Sequence, residues 1–205
     1  MSKGSKLVKL YLLVFSFGIF NSNIFYAQPY LKDVFKDYYY IGTALNNWHV
    51  LGRDVQSMEF AVKHFNSITP ENLLKWERVH PKPGEYNFEP ADSFVAVGER
   101  NNMFMVGHTL VWHSQTPKWV FEDENGNLAS KEVLLERLKE HIYTVVGRYK
   151  GRIQAWDVLN EVVEDDGSWR KSKWYQIAGT EYIEKAFVYA HEADPDAELY
   201  YNDYN

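Results

Sequence analysis

The sequence predicts an α/β fold built on a parallel β-sheet. Short apolar runs alternate along the chain with longer segments of helical periodicity, which is the order expected of parallel strands joined by crossover helices. One of these runs, 103–111, is apolar almost without interruption. Such a run is typical of a strand that is buried on both faces, as the strands of a parallel sheet are.

Five strands are predicted from the short apolar runs, each of which stops at polar residues or at proline. They cover 40–45, 67–69, 103–111, 153–159 and 198–201. No internal repeat, low-complexity stretch or Ser/Gly-rich linker divides the chain. We therefore expect one sheet rather than two separate domains.

Four helices are predicted between the strands, from apolar residues spaced three and four apart. They cover 54–65, 91–100, 131–149 and 181–193. The longest carries an apolar stripe formed by Leu134, Leu138, Ile142 and Val145. Ser130 and Thr180 precede two of the helices and are expected to cap them, and Gly151 is expected to end the longest one.

Composition and charge exclude several classes of protein. Lys and Arg number 22 against 28 Asp and Glu, which gives a net charge of −6. An acidic surface repels nucleic acid, so no nucleic-acid partner is expected. The absence of cysteine excludes disulfides, thiol nucleophiles and thiolate metal sites. No phosphate-binding glycine loop is present, and we expect no cofactor.

The first 27 residues read as a secretory signal peptide. Lys3, Lys6 and Lys9 precede an apolar run at 10–20, and cleavage is expected after Ala27. The alternative is an uncleaved membrane anchor, although the run is shorter than the roughly 20 residues of a spanning helix. The sequence thus predicts a secreted protein without membrane attachment in its mature form.

Polar and ionisable residues follow each predicted strand. Because the carboxyl ends of parallel strands meet at one edge of a sheet, functional groups gather there. The residues at these ends are Asn46 and Asn47; Glu71, Asn72 and Lys75; His108, Trp112 and His113; Asn160 and Glu161; and Asn202, Asp203 and Tyr204. This edge is the predicted functional site.

Glu161 is the central candidate, because the apolar strand at 153–159 delivers it directly to this edge. A carboxyl group that is walled by aromatic rings is partly desolvated, which suits it to act as a general acid. The neighbouring Asn160 is a neutral donor suited to a hydroxyl group. The alternative is a solvated glutamate that opens a helix.

Two further motifs accompany it. In 69–76, a helical turn starting after Pro70 would place Glu71 and Lys75 on one face, either as a polar clamp for ligand hydroxyls or as a surface ion pair. In 107–115, two histidines lie five residues apart, which does not match zinc-protease spacing, and a His and Trp lining a sugar pocket fit better.

The acidic run 164–167 does not have the spacing of a calcium loop and is expected to be a solvated loop.

Taken together, the motifs resemble the N-terminal part of a glycoside hydrolase family 10 endo-1,4-β-xylanase. The matching stretches are 41–44, 65–76, 107–115, 156–161 and 200–205. The resemblance implies that 28–205 is part of a (β/α)8 TIM barrel, with about its first five strands present. It also implies hydrolysis of xylan or xylo-oligosaccharides with retention of configuration, in a secreted enzyme that is monomeric at full length.

The resemblance also implies roles for individual residues. Glu161 matches the general acid/base, and Asn160 matches its neighbour at the 2-hydroxyl of the reacting sugar. The other matches are Lys75, His108 and Trp112 around that sugar; Glu71 and Asn72 at the next sugar on the non-reducing side; His113 and Gln115 as supporting residues; and Asn202 and Tyr204 near the leaving group.

The family's nucleophile is a glutamate on strand seven, and no glutamate of this chain matches it. A retaining mechanism needs two carboxyl groups about 5–5.5 Å apart. We therefore expect the chain to be a truncated portion of a longer enzyme and to be nearly inactive alone. The alternatives are an inactive half-barrel or a non-catalytic polysaccharide-binding protein, and cellulase or mixed-linkage glucanase activity is a weaker option within the enzyme class.

Overall fold

Five parallel strands form one sheet, and their order across the sheet is their order in the chain. The computed structural model describes residues 28–204, so the predicted signal peptide lies outside the described residues. The strands are β1 Gly42–Leu45, β2 Ser67–Pro70, β3 Phe104–Trp112, β4 Ala155–Asn160 and β5 Glu198–Asn202. All five predicted strands are confirmed.

Helices occupy the connections between the strands. They are α1 Leu31–Phe35, α2 Asn47–Val50, α3 Val55–His64, α4 Trp76–Val79, α5 Glu89–Arg100, α6 Lys131–Arg148, α7 Lys173–Ala178 and α8 Glu181–Ala193, with a 3-10 helix at Lys118–Val120. The four longest are the four predicted helices. The short ones were not predicted, because one turn of helix carries too few residues to show a period.

The two predicted helix caps have different outcomes. The Ser130 hydroxyl accepts a hydrogen bond from the Val133 N–H over 3.4 Å and caps α6. The prediction for Thr180 is wrong, since its side chain makes no capping hydrogen bond. Thr180 already has helical backbone angles (φ −89°, ψ −7°), whereas a capping side chain normally stands on an extended residue.

The core lies between the sheet and the helices and fixes the position of β4. Every residue of β4 is buried, and the predicted apolar stripe of α6 is fully buried. The Trp156 ring packs against Gly107 on the neighbouring β3, where an added Cβ would lie 2.3 Å from the ring. Only glycine allows this approach, so β4 has little freedom to slide along β3.

The outer strands are more exposed than the central ones. Within residues 28–204, β1 and β5 each pair with one neighbouring strand only. The rings of Tyr200 and Tyr201 on β5 are exposed. In the same part of the chain, no helix combines the length and apolar composition needed to cross a bilayer.

A pair of buried histidines joins α6 to the end of α4. His80 and His141 are both fully buried, and their Nδ1 atoms lie 3.2 Å apart. The rings of Tyr86 and Trp76 stack on them, at centroid distances of 3.9 and 3.7 Å. Burial lowers the pKa of His80 to about 4. Burial, and then the charge of His80, hold the pKa of His141 well below its usual value.

These histidines predict a loss of stability in acid. The unfolded chain binds protons on them below about pH 6.5, whereas the folded chain resists protonation until about pH 4 at His80. The two neutral histidines therefore contribute fully to the free energy of unfolding above about pH 6.5, and this contribution is lost as the pH falls. For His80 alone, the free energy of unfolding should drop by about 3 kcal/mol between pH 7 and pH 4.

Urea unfolding at a series of pH values measures this effect. His80→Asn should flatten the pH dependence of the unfolding free energy, while His191→Gln, on the exposed surface of α8, should leave it unchanged. An equally steep acid loss in wild type and His80→Asn would contradict the prediction.

Candidate active site

The carboxyl ends of the strands converge on one edge of the sheet, and most of the predicted site residues meet there. Glu161 follows β4 directly, and its backbone N–H donates to the Asn202 carbonyl of β5 over 2.9 Å. Its Oε2 accepts a hydrogen bond from Trp112 Nε1, at the end of β3, over 2.8 Å. The backbone of Glu161 is therefore held by β5, and its carboxylate is held by the end of β3.

Glu161 is not a solvated residue that opens a helix, which was the alternative interpretation of its motif. It lies outside any helix, its side chain is 20% exposed, and its φ is +55°. A non-glycine residue rarely adopts a left-handed conformation, and such strain is concentrated at functional sites. The geometry suits a carboxyl group that is held in one orientation beside an aromatic ring.

Lys75 lies over a face of the Trp112 ring, whose Nε1 edge binds Glu161. Its Nζ donates to Asn72 Oδ1 over 3.0 Å and lies 4.5 Å from the centroid of the Trp112 ring. Burial lowers the pKa of Lys75, and the negative charges of Glu71 and Glu161 partly oppose this. Lys75, Trp112 and Glu161 thus form one continuous surface of a cation, a ring and a carboxylate.

The predicted helical turn after Pro70 is wrong. The segment from Glu71 to Lys75 is a turn, and α4 begins only at Trp76. The Glu71 N–H donates to the Leu45 carbonyl over 2.8 Å, which continues the β1–β2 pairing, and Lys75 itself is extended (φ −67°, ψ 143°). The pairing of β1 with β2 therefore prevents the helical turn that would have placed Glu71 and Lys75 on one face. The direct partner of Lys75 is Asn72 instead of Glu71.

Glu71 and Asn72 face a cavity of about 340 Å³ beside this surface. Its other lining residues include Asn46 and Asn47, which follow β1, and the exposed ring of Trp48. The ends of β1 and β2 thus extend the polar edge of the sheet away from Glu161. Amides beside an exposed aromatic face suit a ligand that carries many hydroxyl groups.

His108 and His113 have separate surroundings. His108 Nδ1 lies 2.8 Å from Asp157 Oδ2, so the carboxylate of β4 orients this ring. His113 Nδ1 lies 3.9 Å from Glu161 Oε2. Burial, and then the positive charge of Arg170, lower the pKa of His113, and the carboxylates of Glu161 and Glu164 oppose them.

Gln115 acts through its backbone in this structure. It has a left-handed φ of +46°, and its carbonyl accepts a hydrogen bond from the Glu77 N–H over 2.9 Å. This contact ties the loop after β3 to α4, immediately beyond Lys75. The loop that carries His113 and the segment that carries Lys75 are therefore held together.

The far end of the site is formed by β4 and β5. Asn160 is 3% exposed, and its Oδ1 accepts a hydrogen bond from Asn202 Nδ2 over 2.8 Å. This leaves the two N–H groups of the Asn160 amide as donors. Tyr204 is exposed, and its hydroxyl accepts a hydrogen bond from Arg170 over 3.2 Å.

Three residues of the site were not among the predicted ones. Asp157 orients His108, Trp174 Nε1 donates to the Trp112 carbonyl over 3.0 Å, and Arg170 contacts the Glu161 backbone. Asp157 is the one charged residue in the predicted strand 153–159, and this exception is the signal that could have found it. Trp174 and Arg170 lie in segments where the sequence shows no periodicity, so their contacts depend on the tertiary fold.

The acidic run 164–167 forms a turn whose Asp165 and Asp166 are exposed, as expected of a solvated loop. Glu164 pairs with Arg170 over 3.2 Å. Among residues 28–204, no group of three or more His, Asp or Glu side chains is arranged to hold a metal ion.

Comparison with known proteins gives consistent matches. The model of glycosyl hydrolase family 10 matches residues 30–205. A β-1,4-xylanase of Dictyoglomus thermophilum is 49% identical over 199 residues, which are 96% of this chain and 54% of that protein. The chain spans 54% of this relative, 48% of an endo-1,4-β-xylanase A of Xylanibacter ruminicola and 17% of an endo-1,4-β-xylanase A of Thermotoga maritima.

Solved structures give the same result for the fold. An endoxylanase of this family from a sugarcane soil metagenome has a TM-score of 0.83 and 53% identity, over 85% of this chain and 51% of that one. Xylanase 10B of Thermotoga petrophila, solved with xylobiose, has a TM-score of 0.81 and 47% identity, over 87% of this chain and 54% of that one. The predicted partial (β/α)8 barrel is confirmed.

The surroundings of Lys75 predict how its pKa changes when a neighbouring carboxylate is removed. Glu71→Gln removes one of the two carboxylates that raise the pKa of Lys75, so this pKa should fall further. NMR titration of the lysine side chains measures it. Glu77→Gln, which removes an exposed carboxylate two residues from Lys75, is the matched control. Equal Lys75 pKa values in both variants would disprove the proposed surroundings.

Proposed function

Because the chain belongs to glycosyl hydrolase family 10, we propose that the protein is a retaining endo-1,4-β-xylanase that hydrolyses internal bonds of xylan. The observation that carries this proposal is the position of Glu161. It is a carboxyl group at the carboxyl end of a buried strand, held by the N–H at the edge of the Trp112 ring, with Lys75 over a face of the same ring. We also propose that the protein is secreted, on the pattern of residues 1–27, and is monomeric when the barrel is complete.

In this proposal Glu161 is the general acid/base. Because its Oε2 accepts the Trp112 hydrogen bond, the proton is carried on Oε1 and faces the glycosidic oxygen. Glu161 first protonates the departing oxygen and later removes a proton from the attacking water. The Trp112 contact keeps the carboxyl group in place during both steps.

The surrounding residues bind the sugar at the cleavage point. The Asn160 amide has two free donors, and one of them suits the 2-hydroxyl of the reacting sugar. Lys75 uses one of its three N–H donors on Asn72 and has others for sugar hydroxyls. His108, oriented by Asp157, adds a further polar group, and Glu71 and Asn72 serve the next sugar on the non-reducing side.

The leaving-group side is formed by Asn202 and Tyr204, while His113 supports the Glu161 carboxyl group and Gln115 supports the segment that carries Lys75. The second carboxylate of a retaining mechanism lies about 5–5.5 Å from the first. The family resemblance places it on strand seven, and none of the described residues is assigned to this role. Hydrolysis is therefore tested on the protein expressed from its complete gene.

Glu161→Ala tests the acid role directly. The value of kcat/KM on xylan should fall by about 10²- to 10⁴-fold, which is the usual contribution of general acid catalysis. Aryl xylobiosides with acidic phenol leaving groups need no protonation, so their kcat/KM should change far less. Steady-state kinetics on both substrates measure the difference, and Glu184→Ala, on the exposed face of α8, is the control.

Equal losses of kcat/KM on the two substrates would contradict the acid role. Binding of xylo-oligosaccharides by the wild-type protein without hydrolysis would instead support the alternative of a polysaccharide-binding protein.

A further inference from the structure

Arg170 is the one guanidinium that contacts the Glu161 backbone in residues 28–204. Its Nε donates to the Glu161 carbonyl over 2.7 Å. Nothing in the proposed mechanism uses this residue, and it lies nine positions beyond Glu161 in the loop between β4 and α7. Its side chain is 17% exposed, so it is largely removed from water.

The other donors of this guanidinium are also engaged. Nη1 pairs with Glu164 Oε2 at 3.2 Å, and Nη2 donates to the Tyr204 hydroxyl over 3.2 Å. Nη2 also lies 3.4 Å from the Val163 carbonyl. The planar fork of arginine can make such contacts at the same time, whereas a lysine ammonium offers a point charge. Arg170 therefore joins the segment 161–164 to Tyr204, which lies two residues beyond β5.

The backbone of Glu161 needs such an anchor. Its φ of +55° is unfavourable for a residue with a side chain, and it persists only where the surroundings hold it. On one side the Glu161 N–H is held by the Asn202 carbonyl. On the other side the Glu161 carbonyl is held by Arg170. The two bonds fix the residue at both of its peptide groups.

We propose that Arg170 is a positioning residue that holds the Glu161 carboxyl group and the Tyr204 ring in one fixed geometry. The proposal rests on the function proposed above, in which Glu161 is the general acid/base and Tyr204 is part of the leaving-group side. By joining the two, Arg170 sets the distance between the proton donor and the sugar that departs.

Substitution of Arg170 should affect proton transfer more than substrate binding. In the protein expressed from its complete gene, Arg170→Gln should lower kcat on xylan about 100-fold with KM changed less than about threefold, as expected of a misplaced catalytic group. The value of kcat/KM on activated aryl xylobiosides should stay within about threefold of wild type. Arg170→Lys should lower kcat about 10-fold, because one ammonium cannot replace the fork.

Arg152→Gln is the matched control. Arg152 is likewise an arginine paired with a carboxylate, which it contacts at two points on Glu99, but it lies at the opposite end of β4. Its variant should retain wild-type kinetics on both substrates. The proposal would be overturned if Arg170→Gln or Arg170→Lys kept the kcat of the wild type on xylan. It would also be overturned if kcat/KM fell equally on xylan and on aryl xylobiosides.

The titration of His113 tests the position of Arg170 without any activity. The charged groups that face His113 are Arg170, which lowers its pKa, and Glu161 and Glu164, which raise it. NMR titration should show a higher His113 pKa in Arg170→Gln and a nearly unchanged one in Arg170→Lys, which keeps the charge. An unchanged pKa in Arg170→Gln would overturn the positioning role.

The two measurements separate the two proposals. If the wild-type protein does not hydrolyse xylan, the proposed function fails, and the His113 titration still decides where the guanidinium lies. If xylan is hydrolysed and Arg170→Gln changes neither kcat nor the His113 pKa, only the positioning role fails.

Discussion

The parallel pairing of the strands in chain order is the constraint on which the site depends. It brings the ends of all five strands to one edge, so residues far apart in sequence become neighbours. Trp112 and Glu161 are 49 positions apart and share a hydrogen bond because β3 and β4 end side by side. The close packing of Trp156 on Gly107 keeps these two strands in that register.

On this frame, the site is assembled by contacts between loops. Glu161 has an unfavourable backbone conformation, and its neighbours on β5 and in the following loop hold it there. Such strain is tolerated where the surrounding structure supports it, and it orients the carboxyl group towards the open edge. The sheet therefore sets the position of Glu161, and the contacts from β5 and from the loop after β4 set the orientation of its carboxyl group.

Most of the sheet and the long helices could be predicted from the sequence, since long periodic segments such as α6 carry a strong signal. The position of Glu161 followed from the same signal, because it comes directly after an apolar strand. The turn at 71–75 could not be predicted, since its spacing also fits a helix and the bond from Glu71 to Leu45 decides between them. Arg170 could not be found either, because its contacts join segments that meet only in the folded chain.

The central claim is that Glu161 stands beside the bond that is cleaved. A crystal structure of the complete gene product carrying Glu161→Gln, with a bound xylo-oligosaccharide, tests it most directly. We predict a glycosidic oxygen within about 3.2 Å of the side chain of residue 161, with the reacting sugar against Asn160 and Lys75. An oligosaccharide bound in the cleft with no glycosidic oxygen near residue 161 would contradict the claim.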